Sequence, residues 1–230
     1  MNEKQIAFII CANNAQFYNE CVWYIDRLVV PEGYSIDILC IQEAESMAEG
    51  YNAGMKASDA KYKVYLHQDT FILNTQFIED MIGIFKSDNA IGMIGVLGTD
   101  KLPRDASCYL AWNVGNVMAY NGANTIVINK TSEEAEKYTC VDAIDGLIMA
   151  TQYDVDWRED ILSGWDFYDV SQSLEMKRKG YKVVVPYQSK AWCYHDCGAS
   201  KLSEYDKYRK VVMQEYSEFF CVNEWEQGNE

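Results

Sequence analysis

Short, wholly apolar runs alternate with amphipathic stretches through residues 1–100, and this alternation restricts the fold more than any other property of the chain. Ile6 to Cys11 is uninterrupted, as expected of a strand buried on both faces. Phe17, Cys21, Tyr24, Ile25 and Leu28 follow at helical spacing, and Pro31 with Gly33 end that helix. A second strand is read at Ile36 to Ile41, then a short helix through Met47, Tyr51 and Met55. A third strand, Tyr62 to Leu66, runs straight into His67-Gln68-Asp69. Asn74 or Thr75 can cap a helix carrying Phe77, Met81, Ile82 and Phe85, and Ile91 to Leu97 reads as a fourth strand. Repeats of this length imply an α/β fold with a mostly parallel central sheet and helices on both faces. Ligands of such sheets sit beyond the carboxyl ends of the strands.

The second half is less periodic. Residues 99–123 read as a long loop rich in Tyr and Trp, whereas Thr125 to Ile128 and Val141 to Thr151 read as strands. Asp154 to Asp169 is an acidic loop with two Trp. A helix follows to about Lys179, with Gly180 at its close and Lys177, Arg178 and Lys179 set against its dipole. Tyr181 to Val185 is a strand stopped by Pro186. Ser203 opens a last helix with Tyr205, Tyr208, Val212, Tyr216 and Phe219 on one face, expected to pack on its own core. Without a repeat or linker, residues 1–230 are expected to form one domain.

Charge narrows the partners. Twenty Lys and Arg against 35 Asp and Glu give a net charge of −15, spread over both halves of the chain. Nucleic acid and anionic lipid are held by Lys and Arg on phosphates, so neither is expected as a partner. The apolar run at Ile6 to Ala12 is too short to span a bilayer and has no cleavage site, so no signal or membrane segment is expected. The eight Cys (11, 21, 40, 108, 140, 193, 197 and 221) then read as reduced core thiols of a cytoplasmic protein.

Several chemistries lack their motif. There is no G-x-S-x-G elbow and no phosphate loop ending in Gly-Lys-Ser/Thr. Gly92, Gly95 and Gly98 lie along a strand, where close packing accounts for them. Cys193 and Cys197 flank His195, but no second Cys pair completes a zinc site. What remains is a set of carboxylates and two histidines at strand ends. Asp69 can hold a cation or cap a turn before Phe71, and His195 can be a ligand or a structural residue. Asp166 and Asp169 suit the first turn of a helix; equally, one of them, partly desolvated among Trp165, Phe167 and Tyr168, can serve as a general base.

Gly50-Tyr51-Asn52-Ala53-Gly54, Tyr65-Leu66-His67-Gln68-Asp69, Gly164-Trp165-Asp166-Phe167-Tyr168-Asp169, Gly180-Tyr181-Lys182-Val183 and His195 stand in the order found in family 2 glycosyltransferases. Over roughly residues 5–200 the chain resembles that family, and most of all a bacterial subgroup whose aspartate motif reads His-Gln-Asp. The resemblance implies a GT-A fold, a nucleotide-diphospho-sugar donor with UDP-sugar foremost, a divalent metal (Mn2+ or Mg2+), and inverting transfer to a glycan or lipid-linked acceptor. It further implies a role in bacterial surface or capsular polysaccharide synthesis in the cytoplasm, near the inner face of the membrane where the acceptor is lipid-linked. A homo-oligomer is compatible with it. The first 99 residues would form the donor half, and residues 100–230 the acceptor half with the C-terminal helix.

Carried over residue by residue, Asp69 matches the last aspartate of D-x-D and would bind the metal, completed by His195 and by His67. Asp169 matches the aspartate of the E-D pair and would be the base. Asn13, Asn14, Glu43, Asn52 and Gln68 would surround the donor, and Asp145, Gly146, Trp165 and Asp166 the acceptor. The chain departs from the family pattern where His67 replaces the first aspartate of D-x-D and where Tyr168 stands in place of the glutamate of E-D. The acidic pair after the second strand is also missing in its usual form, leaving Glu43 or Glu45. These departures motivate a second reading, a non-catalytic nucleotide-sugar or glycan-binding module. A nucleotidyltransferase is disfavoured, because Cys11-Ala12-Asn13-Asn14-Ala15 lacks a basic, Gly-rich loop. An anionic donor entering so acidic a chain should depend strongly on a cation.

Overall fold

The computed structural model describes residues 1–120, 122–129, 137–198 and 202–220. The chain runs β1 (Asn2–Cys11), α1 (Ala15–Ile25), β2 (Ser35–Ile41), α2 (Met47–Ala57), β3 (Ala60–His67), β4 (Thr70–Ile72), α3 (Phe77–Ser87), β5 (Ile91–Gly95) and β6 (Leu97–Thr99). A 3-10 turn at Cys108–Leu110 precedes β7 (Val114–Tyr120), β8 (Thr125–Asn129), β9 (Tyr138–Cys140), β10 (Ala143–Ile144) and β11 (Ile148–Thr151). Then come α4 (Tyr168–Arg178), β12 (Lys182–Pro186), β13 (Cys193–His195), α5 (Tyr205–Glu215) and the short α6 (Ser217–Phe220). No helix among the described residues is long and apolar enough to cross a membrane.

The central sheet has the order β2-β1-β3-β11-β5-β12-β9. β1 is parallel to β2 and β3, and β12 to β5, while β11 lies antiparallel between β3 and β5. β1 starts four residues before the expected strand, with the polar Asn2 to Gln5, and the uninterrupted apolar character of its remainder has a direct cause: Ile6, Phe8 and Ile10 enter the core that holds Cys21 of α1 and Phe77 of α3. Ala7, Ile9 and Cys11 enter the opposite core, with Tyr51 of α2 and Met176 of α4. A second sheet, β10-β6-β7-β13-β4 with β8 on β7, was not anticipated.

Three segments cross from one sheet to the other along a common seam. β3 ends at His67 and the chain re-enters as β4; β5 and β6 are separate strands joined through Val96; β10 and β11 are joined through residues 145–147. Backbone bonds tie the seam, from His67 N–H to Leu147 C=O and from Asp145 N–H to Leu97 C=O (2.9 Å). The single strands expected at Ile91 to Leu97 and at Val141 to Thr151 are therefore each broken. Gly95, the last residue of β5, lets β10 pack closely at the seam, since a Cβ there would lie 2.6 Å from Ile144 Cβ. Gly92 and Gly98 are equally close-packed, against Tyr181 and the Ala143 carbonyl.

Other boundaries also moved. The expected loop at 99–123 contains β7, whose Gly115 and Asn116 resemble turn residues; Gly115 has φ +129 and backbone atoms where a Cβ would project. The first residue of α3 is preceded by Gln76, while Asn74 accepts from Gln76 N–H at 3.1 Å one step earlier. α5 begins at Tyr205, two residues beyond Ser203. Its Tyr208 and Val212, with Tyr216 capping its end, pack with Leu162, Phe167 and Leu174 in a third core, so the helix covers its own chain. Arg158 and Arg178 secure it, with Glu215 at 2.8 and 3.0 Å. The seven described cysteines are free, with burial pushing the Cys11 and Cys21 thiols up to about 12; Cys221 lies outside the described residues.

Candidate active site

β3 delivers His67 to the seam, and the turn through Gln68 and Asp69 starts β4. β4 pairs antiparallel with β13 in a register that sets Thr70 opposite His195. That pairing, closed by a bond from Asp196 N–H to the Asp69 carbonyl (2.9 Å), brings His195 to Asp69. The Asp69 carboxylate is 3.5 Å from His195 Nε2 and 4.0 Å from His67 Nδ1, and the two ring nitrogens are 3.5 Å apart. One ligand atom from each of the three residues lies within 4.8 Å of the others. Burial, reinforced by the neighbouring His195, pushes the His67 imidazole down to about 4 and keeps it neutral. For His195, burial is outweighed by hydrogen bonding to Asp69 and Cys197, which raises it to about 10. Asp69 resists its own burial through the same two histidines and stays below the usual carboxylate range.

On the other side of the seam, Phe167 turns the chain into α4 with φ +65, and Asp169 falls in the first turn. Its carboxylate accepts from Val170 N–H at 2.8 Å and from Gly146 N–H at 2.9 Å. Burial, together with the charge of Asp145, raises Asp169 to about 7 despite those bonds. Asp145 is raised as well, by burial, with His195 acting in the opposite sense. Tyr168 points the other way, into a cluster with Tyr51 and Trp157, and its hydroxyl is hydrogen-bonded to His67 Nε2.

Two cavities meet here. The smaller, about 330 Å³, lies beyond the carboxyl ends of β1, β2 and β3 and is lined by Asn13, Glu43, Met47, Gln68 and Asp69. The larger, about 690 Å³, is lined by Asp145, Leu147, Asp166, Asp169, His195 and a wall of apolar groups including Trp112 and Phe167. His67 and Trp165 line both, and the Trp165 side chain is half exposed between them. A third cavity, about 740 Å³ between α3 and the β12–β13 connection, contains none of the expected donor, acceptor, metal or catalytic residues.

Most of the expected site residues therefore gather at the two cavities, and three are occupied elsewhere. Asn52 is buried, and its amide is spent on Trp157, donating to the carbonyl and accepting from the N–H at 2.9 Å each. It fixes the 154–169 loop that carries Trp165. Asn14 caps α1, accepting from Gln16 and Phe17 N–H groups at 3.0 and 3.3 Å. Gly146 is buried and its N–H supports Asp169. Gln68 lines the smaller cavity yet also bridges to the β1–α1 loop. Its carbonyl oxygen accepts from Asn13 and Asn14 N–H groups at 3.0 and 2.9 Å, and its amide donates to Asn13 Oδ1 at 2.7 Å. Glu43 holds φ +60 at the cavity wall, whereas Glu45 donates its backbone N–H to the Glu49 carboxylate at 2.6 Å. Sequence reasoning missed the apolar wall contributed by Cys108, Leu110, Trp112 and Val117, which comes from the segment read as loop.

Comparison with known proteins places these features in context. A model of a family described as "Glycosyltransferase like family" matches residues 7–216. No protein of curated function matches the chain by sequence. Among solved structures, residues 1–349 of S. aureus TarS in complex with UDP align at 12% identity and TM-score 0.56, covering 91% of this chain and 63% of that one. The same protein with UDP-GlcNAc aligns at 10% identity and TM-score 0.54, covering 86% and 60%. The mannosyltransferase PcManGT from Pyrobaculum calidifontis, in complex with GDP-Man and Mn2+, aligns at 10% identity and TM-score 0.56, covering 96% and 66%. The likeness is one of fold, GT-A, and this chain spans less than two thirds of the length of each of these neighbours.

Proposed function

The chain belongs to the glycosyltransferase-like family, and from that premise we propose that it moves a sugar from a nucleotide-diphospho-sugar to an acceptor hydroxyl, with inversion. The observation that carries this reading is the position of His67, Asp69 and His195, clustered within 4.8 Å at the wall between two cavities, with Asp169 on the far one. The smaller cavity takes the nucleoside diphosphate, with Asn13, Glu43 and Gln68 beside it. The larger takes the acceptor, with Asp145, Asp166 and Trp165 around the hydroxyl and sugar ring. Residues 1–99 accordingly supply most of the donor side and residues 100–230 most of the acceptor side of one domain.

The donor set of two imidazoles and one carboxylate fits a divalent ion once His195 releases the proton that Asp69 and Cys197 hold on it, so cation binding there is coupled to proton release. Mixed nitrogen and oxygen ligands suit a first-row ion such as Mn2+ better than Mg2+, which prefers oxygen shells. When bound, such an ion neutralises charge developing on the leaving diphosphate. Asp69, held ionised, anchors it, and the neutral His67 offers a lone pair. Asp169, with a proton affinity near neutrality, takes the acceptor proton on the side opposite the leaving group, so a single displacement inverts the anomeric centre. UDP is the expected nucleotide, in keeping with the TarS complexes, while the GDP-Man and Mn2+ complex of PcManGT supports the cation requirement.

His67 and Tyr168, at positions where the family pattern has carboxylates, favour a second reading in which the site binds donor without turnover. A panel of UDP- and GDP-sugars, with and without Mn2+, scored by thermal shift and by nucleotide release, separates the two. Binding with release in the presence of an acceptor supports transfer; binding without release under any acceptor supports the binding module.

A further inference from the structure

The two positions at which the site departs from the family pattern touch each other: the Tyr168 hydroxyl is hydrogen-bonded to Nε2 of His67. We propose that Tyr168 is a positioning residue of the cation site, holding the proton of His67 on Nε2 so that the lone pair of Nδ1 faces Asp69 and His195. The inference rests on the reading of His67, Asp69 and His195 as cation ligands.

A neutral imidazole carries one N–H, and whichever nitrogen bears it cannot bind a cation. Nδ1 is the nitrogen directed at the cluster, 3.5 Å from His195 Nε2 and 4.0 Å from the Asp69 carboxylate. It is free to ligate only if the proton sits on Nε2, and a proton there needs an acceptor. The Tyr168 oxygen is that acceptor. A hydroxyl both donates and accepts, so rotation of one O–H bond lets the same contact serve the ring with or without an ion.

Packing alone does not require this pairing. Tyr51, in the same aromatic cluster and fully buried, keeps a hydroxyl with no hydrogen-bond partner among the described residues, so the cluster tolerates an unpaired phenol there. The hydroxyl of Tyr168 also has space made for it, because a Cβ on Gly146 would run into it. Gly146 in turn donates its N–H to Asp169. The glycine thus serves the base with its backbone and His67 with its missing side chain.

The test is a titration of the full chain with MnCl2, following free Mn2+ by electron paramagnetic resonance, for the native protein, Tyr168→Phe, His67→Ala and the double variant. Melting temperatures in EDTA establish that each is folded. Loss of an outer partner of a metal-bound histidine weakens affinity by about 10-fold or more, the effect expected of Tyr168→Phe in the native background. In the His67→Ala background the same change should alter affinity by less than about 2-fold, because the residue it acts through is gone. Equal Mn2+ affinity of native protein and Tyr168→Phe overturns the positioning role while leaving the cation site intact. An equal loss in both backgrounds overturns it too, by showing that Tyr168 does not act through His67. Absence of Mn2+ binding by the native protein overturns the cation site and the inference together. A second measurement needs no variant: nitrogen-15 NMR of the native protein with Zn2+ should place the His67 proton on Nε2, and a proton on Nδ1 contradicts the proposal.

Discussion

Asp169 accepts a hydrogen bond from the backbone N–H of Gly146 at 2.9 Å, which joins the first turn of α4 to the break between β10 and β11. The contact aims a carboxylate into the larger cavity while burial and Asp145 keep its proton affinity near neutrality. Removing the carboxylate by Asp169→Asn should lower transfer by about 10²–10⁴-fold, the usual worth of a general base, with donor affinity unchanged. Native activity should rise with pH through about 7, as the carboxyl loses its proton. Full activity in Asp169→Asn, measured as nucleotide release with acceptor present, contradicts the assignment.

The same residue links pH to stability. Its affinity for a proton is raised from 3.8 to about 7 on folding, so between these values the folded state holds a proton that the unfolded chain has released. The stabilisation is fully present below about pH 4 and is lost as pH rises through about 7. Asparagine imitates the protonated carboxyl. Asp169→Asn should therefore melt with a weaker pH dependence than native protein between pH 4 and 7, and above the native protein at pH 8. A native melting curve that shifts with pH no differently from that of the variant contradicts the linkage.

Gln68 ties the end of β3 to the loop after β1 through three bonds to Asn13 and Asn14. Gln68→Ala frees the loop that lines the smaller cavity, where the donor is proposed to bind. At about 1 kcal/mol for a net hydrogen bond, the expected result is a KM for donor raised about 5-fold or more with kcat little changed. A fall in kcat at constant KM points to a role in the chemical step instead.

Two glycines should respond in opposite directions. In Gly95→Ala the new methyl meets Ile144 at 2.6 Å within the core, and overpacking of this kind costs about 1–3 kcal/mol. In Gly83→Ala nothing lies within 4 Å of the new Cβ on α3, and the gain in helix propensity is about 0.5–1 kcal/mol. Urea denaturation that fails to separate the two variants on either side of native protein contradicts this account of the seam.

How far the sequence carried depended on where the signal was local. The Ile6–Cys11 part of β1 was legible because burial on both faces leaves it no polar position, and His67-Gln68-Asp69 was legible as a strand end because an apolar run stops there. Strand direction was not legible: β11 is buried throughout like β5 beside it, and nothing in Ile148–Thr151 marks it as antiparallel to both of its neighbours. β7 was lost because Gly115 and Asn116 look like turn residues. His67, Asp69 and His195 stood out by residue type, yet the geometry that gathers them depends on the β4–β13 pairing between distant segments. The hydrogen bond between Tyr168 and His67 was invisible for the same reason, although both residues had been noticed as departures from the family pattern.

The most direct test of the account is the affinity of the native protein for UDP in Mn2+ and in EDTA, measured by calorimetry alongside Asp69→Ala. An ion held by Asp69, His67 and His195 against the diphosphate should make UDP bind at least about 10-fold more tightly with Mn2+, and Asp69→Ala should lose that difference. Affinity for UDP that is the same in Mn2+ and EDTA, or an Mn2+ effect that survives Asp69→Ala, contradicts the central claim.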